Sequence, residues 1–169
     1  MEKPVSAQSS ALLHPIVYRP NVAAILKQPF TGEILIAERL NVRHAWQFPQ
    51  GGVDDGEDLQ TALYREIEEE IGVKSELIHI RATRGGYRYA FPKGRLKYGI
   101  YGGQEQTYFL CDFLGEDTDI RLDVHNQEFG RWKWIVPSEF KLKWVPKFKR
   151  AVYHQLFLDF FQIDLKDSE

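Results

Sequence analysis

Residues 51–73 read GGVDDGEDLQTALYREIEEEIGV, a stretch with glutamates at 57, 66, 68, 69 and 70. On a helix turning about 100° per residue, with Leu59 at zero, Leu63, Ile67 and Ile71 fall at roughly 40°, 80° and 120°, and Ala62 at about 300°. That stripe should face a core. Glu70 falls at about 20°, inside it, while Glu66 at about 340° and Glu69 at about 280° lie on its edge. Only Glu68, at about 180°, faces water as a solvated charge should. Crowding three carboxylates costs several kcal/mol each, roughly, unless cations compensate, and like charges at i and i+4 repel. Divalent metal ions supply that compensation. All-oxygen ligands suit magnesium or manganese, which keep part of their water shell and bridge to substrate phosphates.

The spacing is also a signature. Gly51, five residues, Glu57, seven residues, then Arg65-Glu66-Ile67-x-Glu69-Glu70-x-Gly72-Val73 resembles the complete Nudix box with no departure. Local chemistry agrees: Glu57 sits where a negative charge opposes the positive helix end, and Gly72 can take a left-handed cap. The resemblance implies that Glu66, Glu69 and Glu70 hold magnesium (or manganese) with the Gly51 carbonyl. It also implies that Arg65 braces the acidic cluster and that Glu128, before Phe129 in QEFGRWKW, adds a further carboxylate. Hydrolysis of a phosphoanhydride needs an activated water, metals to absorb phosphoryl charge and a proton acceptor.

Outside the box, YRPNV (18–22), AWQFPQGGVDDGED (45–58), GQEQTYFL (103–110), EFGRWKW (128–134) and FKRAVY (148–153) look like one branch of the family. That branch acts on RNA 5′ ends and includes asymmetric diadenosine tetraphosphate hydrolases. The resemblance covers roughly residues 18–161. It implies removal of pyrophosphate from 5′-triphosphorylated RNA, with dinucleoside polyphosphates as the alternative substrate. By the same similarity Arg19 and Lys149 meet phosphate or the 5′ nucleotides, and Phe148 stacks on a base. Tyr89 is a further stacking candidate, since aromatic stacking tolerates any base. Glu105 and Thr107 stand where relatives carry a neutral or basic residue and a lysine; Lys93, Arg95 and Lys97 are positioned to restore the charge. A non-catalytic binding module would have no need of the crowded carboxylates.

These residues must be positioned by an ordinary globular chain. It has 169 residues, 43% hydrophobic and 14% aromatic, the size of one domain expected over 16–169. Strands are expected at 21–27, 33–39, 76–82, 106–114 and 129–136, and helices at 58–71 and 146–162. A long loop is expected from 84 to 103. Together these imply an α/β fold, and the resemblance narrows it to the Nudix α/β/α sandwich, a mixed sheet between helices. Residues 1–15 read as a mobile tail with no signal peptide or membrane span. The single cysteine, Cys111, excludes an internal disulfide and fits a reducing cytoplasm. A net charge of −2 excludes nonspecific coating of nucleic acid, so no DNA partner is expected. The charge is uneven: residues 81–97 carry six basic residues and 141–150 carry five, with no acid in either. Such segments flanking a metal centre suit a polyphosphate or an RNA end.

Overall fold

Alternation in β1 (Tyr18–Lys27) sends Ala23 and Ile25 to one face and Val22, Ala24 and Leu26 to the other, and all five are buried. A strand buried on both faces belongs in the middle of a covered sheet. The computed structural model, which describes residues 15–166, places it there. The sheet path runs β3 (Trp46–Gln47), β2 (Ile34–Arg39), β1, β6 (Gly103–Phe113), β5 (Ile78–Ala90); β4 (Gln50–Gly52) pairs with β1 and β7 (Phe129–Ile135) with β2. β1 and β6 are parallel in register from Tyr18↔Gly103 to Lys27↔Asp112. The other pairings are antiparallel, so the sheet is mixed.

Each face carries one helix. α1 (Leu59–Ile71) buries Ala62, Leu63, Ile67 and Ile71 with Val22, Ala24, Leu35, Phe109 and Phe113. α2 (Lys147–Phe161) buries Val152, Tyr153, Leu156 and Phe157 with Ala23, Ile25, Phe48 and Tyr108. The result is the expected α/β/α sandwich. α1 begins at Asp58, whose carboxylate accepts from the Thr61 N–H at 2.8 Å, and ends at Gly72 with φ 69°. Cys111 is buried in the α1-side core, as its apolar neighbourhood predicts.

Three expectations need correction. The loop expected from 84 to 103 is strand as far as Ala90, leaving a connection of 91–102. The register with β6 slips between Ile80 and Ala82 and again between Arg84 and Tyr87, and these bulges break the alternation from which a strand is read. Leu59, the reference point of the apolar stripe, is 40% exposed, and the buried stripe of α1 begins at Ala62. Glu69 is exposed too, at 58% of its side chain, so the edge of the stripe lies inside it. The tail expected over 1–15 falls, apart from Pro15, outside the described residues. Among those residues, no helix is long and apolar enough to cross a membrane.

Candidate active site

β4 lies alongside β1 with Asn21↔Gly52 and Val22↔Gly51 as partners, which sets the glycine pair against the side of α1. The approach is close: a Cβ on Gly51 would overlap the Glu66 carboxyl group, and one on Gly52 would overlap the Arg19 guanidinium. A side chain at either position would therefore displace the Glu66 carboxyl group or the Arg19 guanidinium from its place. Gln50 N–H donates to Glu70 Oε2 at 3.1 Å, tying the second glutamate to the same short strand.

Behind these two, Arg65 grips the first turn. Its Nε and Nη2 donate to the two Glu57 oxygens at 2.8 Å each, and Nη2 also reaches the Gly52 carbonyl at 2.9 Å. Its Nη1 donates to Glu66 at 2.8 Å and to Glu69 at 3.2 Å. The fork holds Glu57 down at about 2, the Arg65 hydrogen bonds being the main cause. Glu66 is shifted the other way, upward, by burial. Glu70 is pushed up to about 9, first by burial and then by the charges of Glu66, Glu128 and Glu69. Among the described residues its hydrogen-bond donor is the Gln50 N–H, with no cation at ion-pair distance. A half-buried carboxylate without a cation is the kind of group that a bound divalent ion would stabilise.

No three such groups close on a common point among the described residues, since Glu66 and Glu69 are turned toward Arg65. The donor set nevertheless fits a hard divalent cation by chemistry, being all carboxylate and carbonyl oxygen. Glu66, Glu70 and Glu128 stand on a wall shared by two clefts. The smaller, about 530 Å³, also takes in Glu69 and His125.

The larger cleft, about 780 Å³, gathers nearly every substrate-contact candidate. Arg19, Gly51, Glu66, Glu70, Glu128, Tyr89, Phe148 and Lys149 all line it, although they come from six separate stretches of chain. Phe148 and Tyr89 pack ring to ring at 5.5 Å, with Lys149 Nζ 5.4 Å from the Tyr89 centroid. Burial pulls Lys149 down to about 8, helped by Arg39 and Lys97. Tyr89 is 6% exposed and donates its hydroxyl to Gln104, which makes it a support for Phe148 more than a free platform. Arg95 and Lys97 do reach the cleft; Lys93 does not. Glu105 pairs with Arg88, and Thr107 lies against Gly85, so neither departure from the family pattern stands in the cleft wall.

Sequence reasoning missed Arg39, Gln47, Phe91 and Gln50 in this lining. It also missed the polar chain beneath: Tyr108 hydroxyl donates to Gln106 at 3.0 Å, and the Gln106 amide donates to Asn21 at 2.9 Å and to Gln50. The signal was present in β6, where Gln104 and Gln106 occupy the same inward alternation as Tyr108. Buried amides in a strand ask for partners.

Known proteins share this arrangement of sequence and fold. Residues 17–156 match the NUDIX domain. The chain is 44% identical over 150 residues to the RNA pyrophosphohydrolase of Novosphingobium aromaticivorans, covering 85% of this chain and 92% of that protein. It is 41% identical over 162 residues to that of Erythrobacter litoralis, covering 91% and 97%. Among solved structures, the Escherichia coli dihydroneopterin triphosphate pyrophosphohydrolase superposes with a TM-score of 0.59 at 18% identity, covering 85% of this chain and 99% of that one, a likeness of fold.

Proposed function

The chain belongs to the Nudix family of hydrolases, and from that premise we propose that it converts 5′-triphosphorylated RNA ends to 5′-monophosphates, releasing pyrophosphate. One observation carries the reading: the acidic cluster opens into a cleft whose other walls are cationic and aromatic. Carboxylates alone would repel a polyphosphate, and cations alone would bind it without cleaving it. Their juxtaposition serves both needs.

Divalent cations, magnesium in this reading, would supply an activated water and neutralise charge developing on the phosphoryl oxygens. Glu66, Glu69, Glu70, Glu128 and the Gly51 carbonyl would hold them. Arg65 fixes Glu66 from behind and is too engaged with Glu57 to reach substrate itself. Arg19, Arg39 and Lys149 would take the non-bridging phosphate oxygens, and Phe148 the face of a base. The relatives named RNA pyrophosphohydrolase support this substrate over a small nucleotide. The buried Cys111 thiol, pushed up to about 12 by burial, suits the reducing cytoplasm.

The test compares kcat/KM, with magnesium, on a short 5′-triphosphorylated RNA and on diadenosine tetraphosphate. The expected result is a strong preference for the RNA with pyrophosphate as product. Preference for the dinucleotide would replace this reading with that of a nucleotide-clearing hydrolase. Glu66→Gln should remove at least about 100-fold of turnover on either substrate, the scale lost with a group that stabilises transition-state charge.

A further inference from the structure

The cationic lining does not stop at the cleft. Gln47, on β3, forms part of its wall, and the preceding Trp46 stands opposite Glu38 on β2, which in turn faces Arg131 on β7. Lys133 follows two residues on, opposite Ile36 and on the same face. Its Nζ lies 4.4 Å from the Trp46 ring centroid and 5.1 Å from that of Trp144. Lys141 Nζ lies 5.9 Å from Trp144, and the two indoles are 6.4 Å apart at 55°. Past this ridge opens a second hollow of about 630 Å³, lined by Lys133, Lys141, Trp144 and Lys166 together with Glu139 and Asp164.

The charges there are not equally committed. Arg131 forms a fork with Glu38 at 2.8 and 2.9 Å, and Asp164 is hydrogen-bonded to His154 at 2.7 Å. Lys133 and Lys141, by contrast, have no carboxylate at ion-pair distance among the described residues. Both are exposed, and Trp144 between them is half-buried. Along β7, residues 131–135 span about 13 Å at roughly 3.3 Å per residue, longer than a single nucleotide.

We propose that this hollow receives the nucleotides downstream of an RNA 5′ end seated in the cleft. Lys133 and Lys141 take backbone phosphates and Trp144 offers a ring for an unpaired base. This is the combination by which single strands are held without sequence preference. Two residues of the cleft wall, Gln47 and Pro146, lie one and two positions along the chain from Trp46 and Trp144, the paired indoles of the ridge beside the hollow. The proposal rests on the RNA reading above. It adds that the strand has a direction across the protein, from Glu66 toward Trp144.

The experiment measures kcat/KM for a 5′-triphosphorylated dinucleotide and for an unstructured 5′-triphosphorylated octanucleotide, with the full chain and with the double variant Lys133→Glu, Lys141→Glu. The native protein should favour the octanucleotide by about tenfold, through KM, as expected for one stacked base and two phosphates. The variant should bring that ratio close to one while handling the dinucleotide, which ends before the hollow, at native rates. The log–log salt dependence for the octanucleotide should also become shallower, by about 0.7 for each phosphate no longer held. An unchanged length ratio and salt slope in a variant that melts at the native temperature would overturn the proposal. Should Lys133→Glu lower the melting temperature by disturbing Trp46, Lys141→Glu alone should still lower the length ratio and make the salt slope shallower by about 0.7, the share of one phosphate. RNA turnover with no length preference in the native protein defeats this inference alone. Absence of RNA turnover beside rapid diadenosine tetraphosphate cleavage defeats the RNA reading with it.

Discussion

Burial, and then the charges of Glu66, Glu128 and Glu69, raise the Glu70 carboxyl from an ordinary 4.5 to about 9. Between those values the folded protein holds a proton that the unfolded chain has released, so without metal its stability falls as pH rises through that window. The melting temperature of metal-free protein should therefore drop between pH 5 and pH 9, more steeply than that of Glu70→Gln. Millimolar magnesium should restore it at the alkaline end, because a ligand of the folded state stabilises it. Equal slopes for the two proteins would mean that Glu70 does not hold the proton responsible for the fall. Lys149 titrates in the opposite sense: pulled down to about 8, it loses its charge as pH rises through that value. KM for a triphosphorylated substrate should rise there, and Lys149→Arg should flatten the rise; a rise of the same size in the variant would assign it elsewhere. At this scale the sequence was legible where spacing along one helix carries the information, as for Glu66 and Glu70. It misled at Glu69, whose angle gives a side of the helix and says nothing of how far the sheet extends to cover it. Arg39 and Gln50 were invisible because their place in the cleft comes from strand pairing between distant segments.

Helix α1 shows how much local signals decide. Asp58 satisfies the N-terminus through the Thr61 N–H and hydroxyl, and Asp58→Ala should cost about 1 kcal/mol in urea unfolding. Gly72 holds a positive φ and an added Cβ would come within 2.9 Å of Arg121 Cβ, so Gly72→Ala should cost about 1 kcal/mol or more. Gly51→Ala is different in kind. Its Cβ meets the movable Glu66 carboxyl group, so it should leave unfolding near native and reduce turnover by about 100-fold, the penalty for misplacing a reacting group by an ångström. A large stability loss instead would mean that the glycine serves the fold. Both helices and most strands could be read from periodicity and caps, because α1 and α2 each bury one stripe. β5 could not, since its bulges hide where the strand continues and the glycines at 85 and 86 look like loop.

Seen across the molecule, the two basic segments divide their labour. Arg81 pairs with Asp112, Arg84 with Asp159 and Arg88 with Glu105, while Arg95, Lys97 and Lys149 face the cleft. The run of charge in 81–97 was plain in the sequence, but its partners lie on β6 and α2 and only folding reveals them. The sandwich itself was legible through its family resemblance and through the order of strands and helices along the chain; the double-sided burial of β1 came with the structure. The bulges of β5 carry one more implication, for length. Opposite β6, Arg81 and one of the two glycines, Gly85 or Gly86, have no counterpart, yet Ile78 and Ile80 still face α1 while Tyr87 and Tyr89 face α2. The strand thus carries slack at two defined points. Removing Gly85 should leave every core residue on its own side and the melting temperature close to native. Removing Arg88 should put Tyr87 and Tyr89 on opposite faces and abolish cooperative melting. Insertions and deletions should then be accommodated in this edge of the sheet as single residues at those two points, and be refused between them and the cleft.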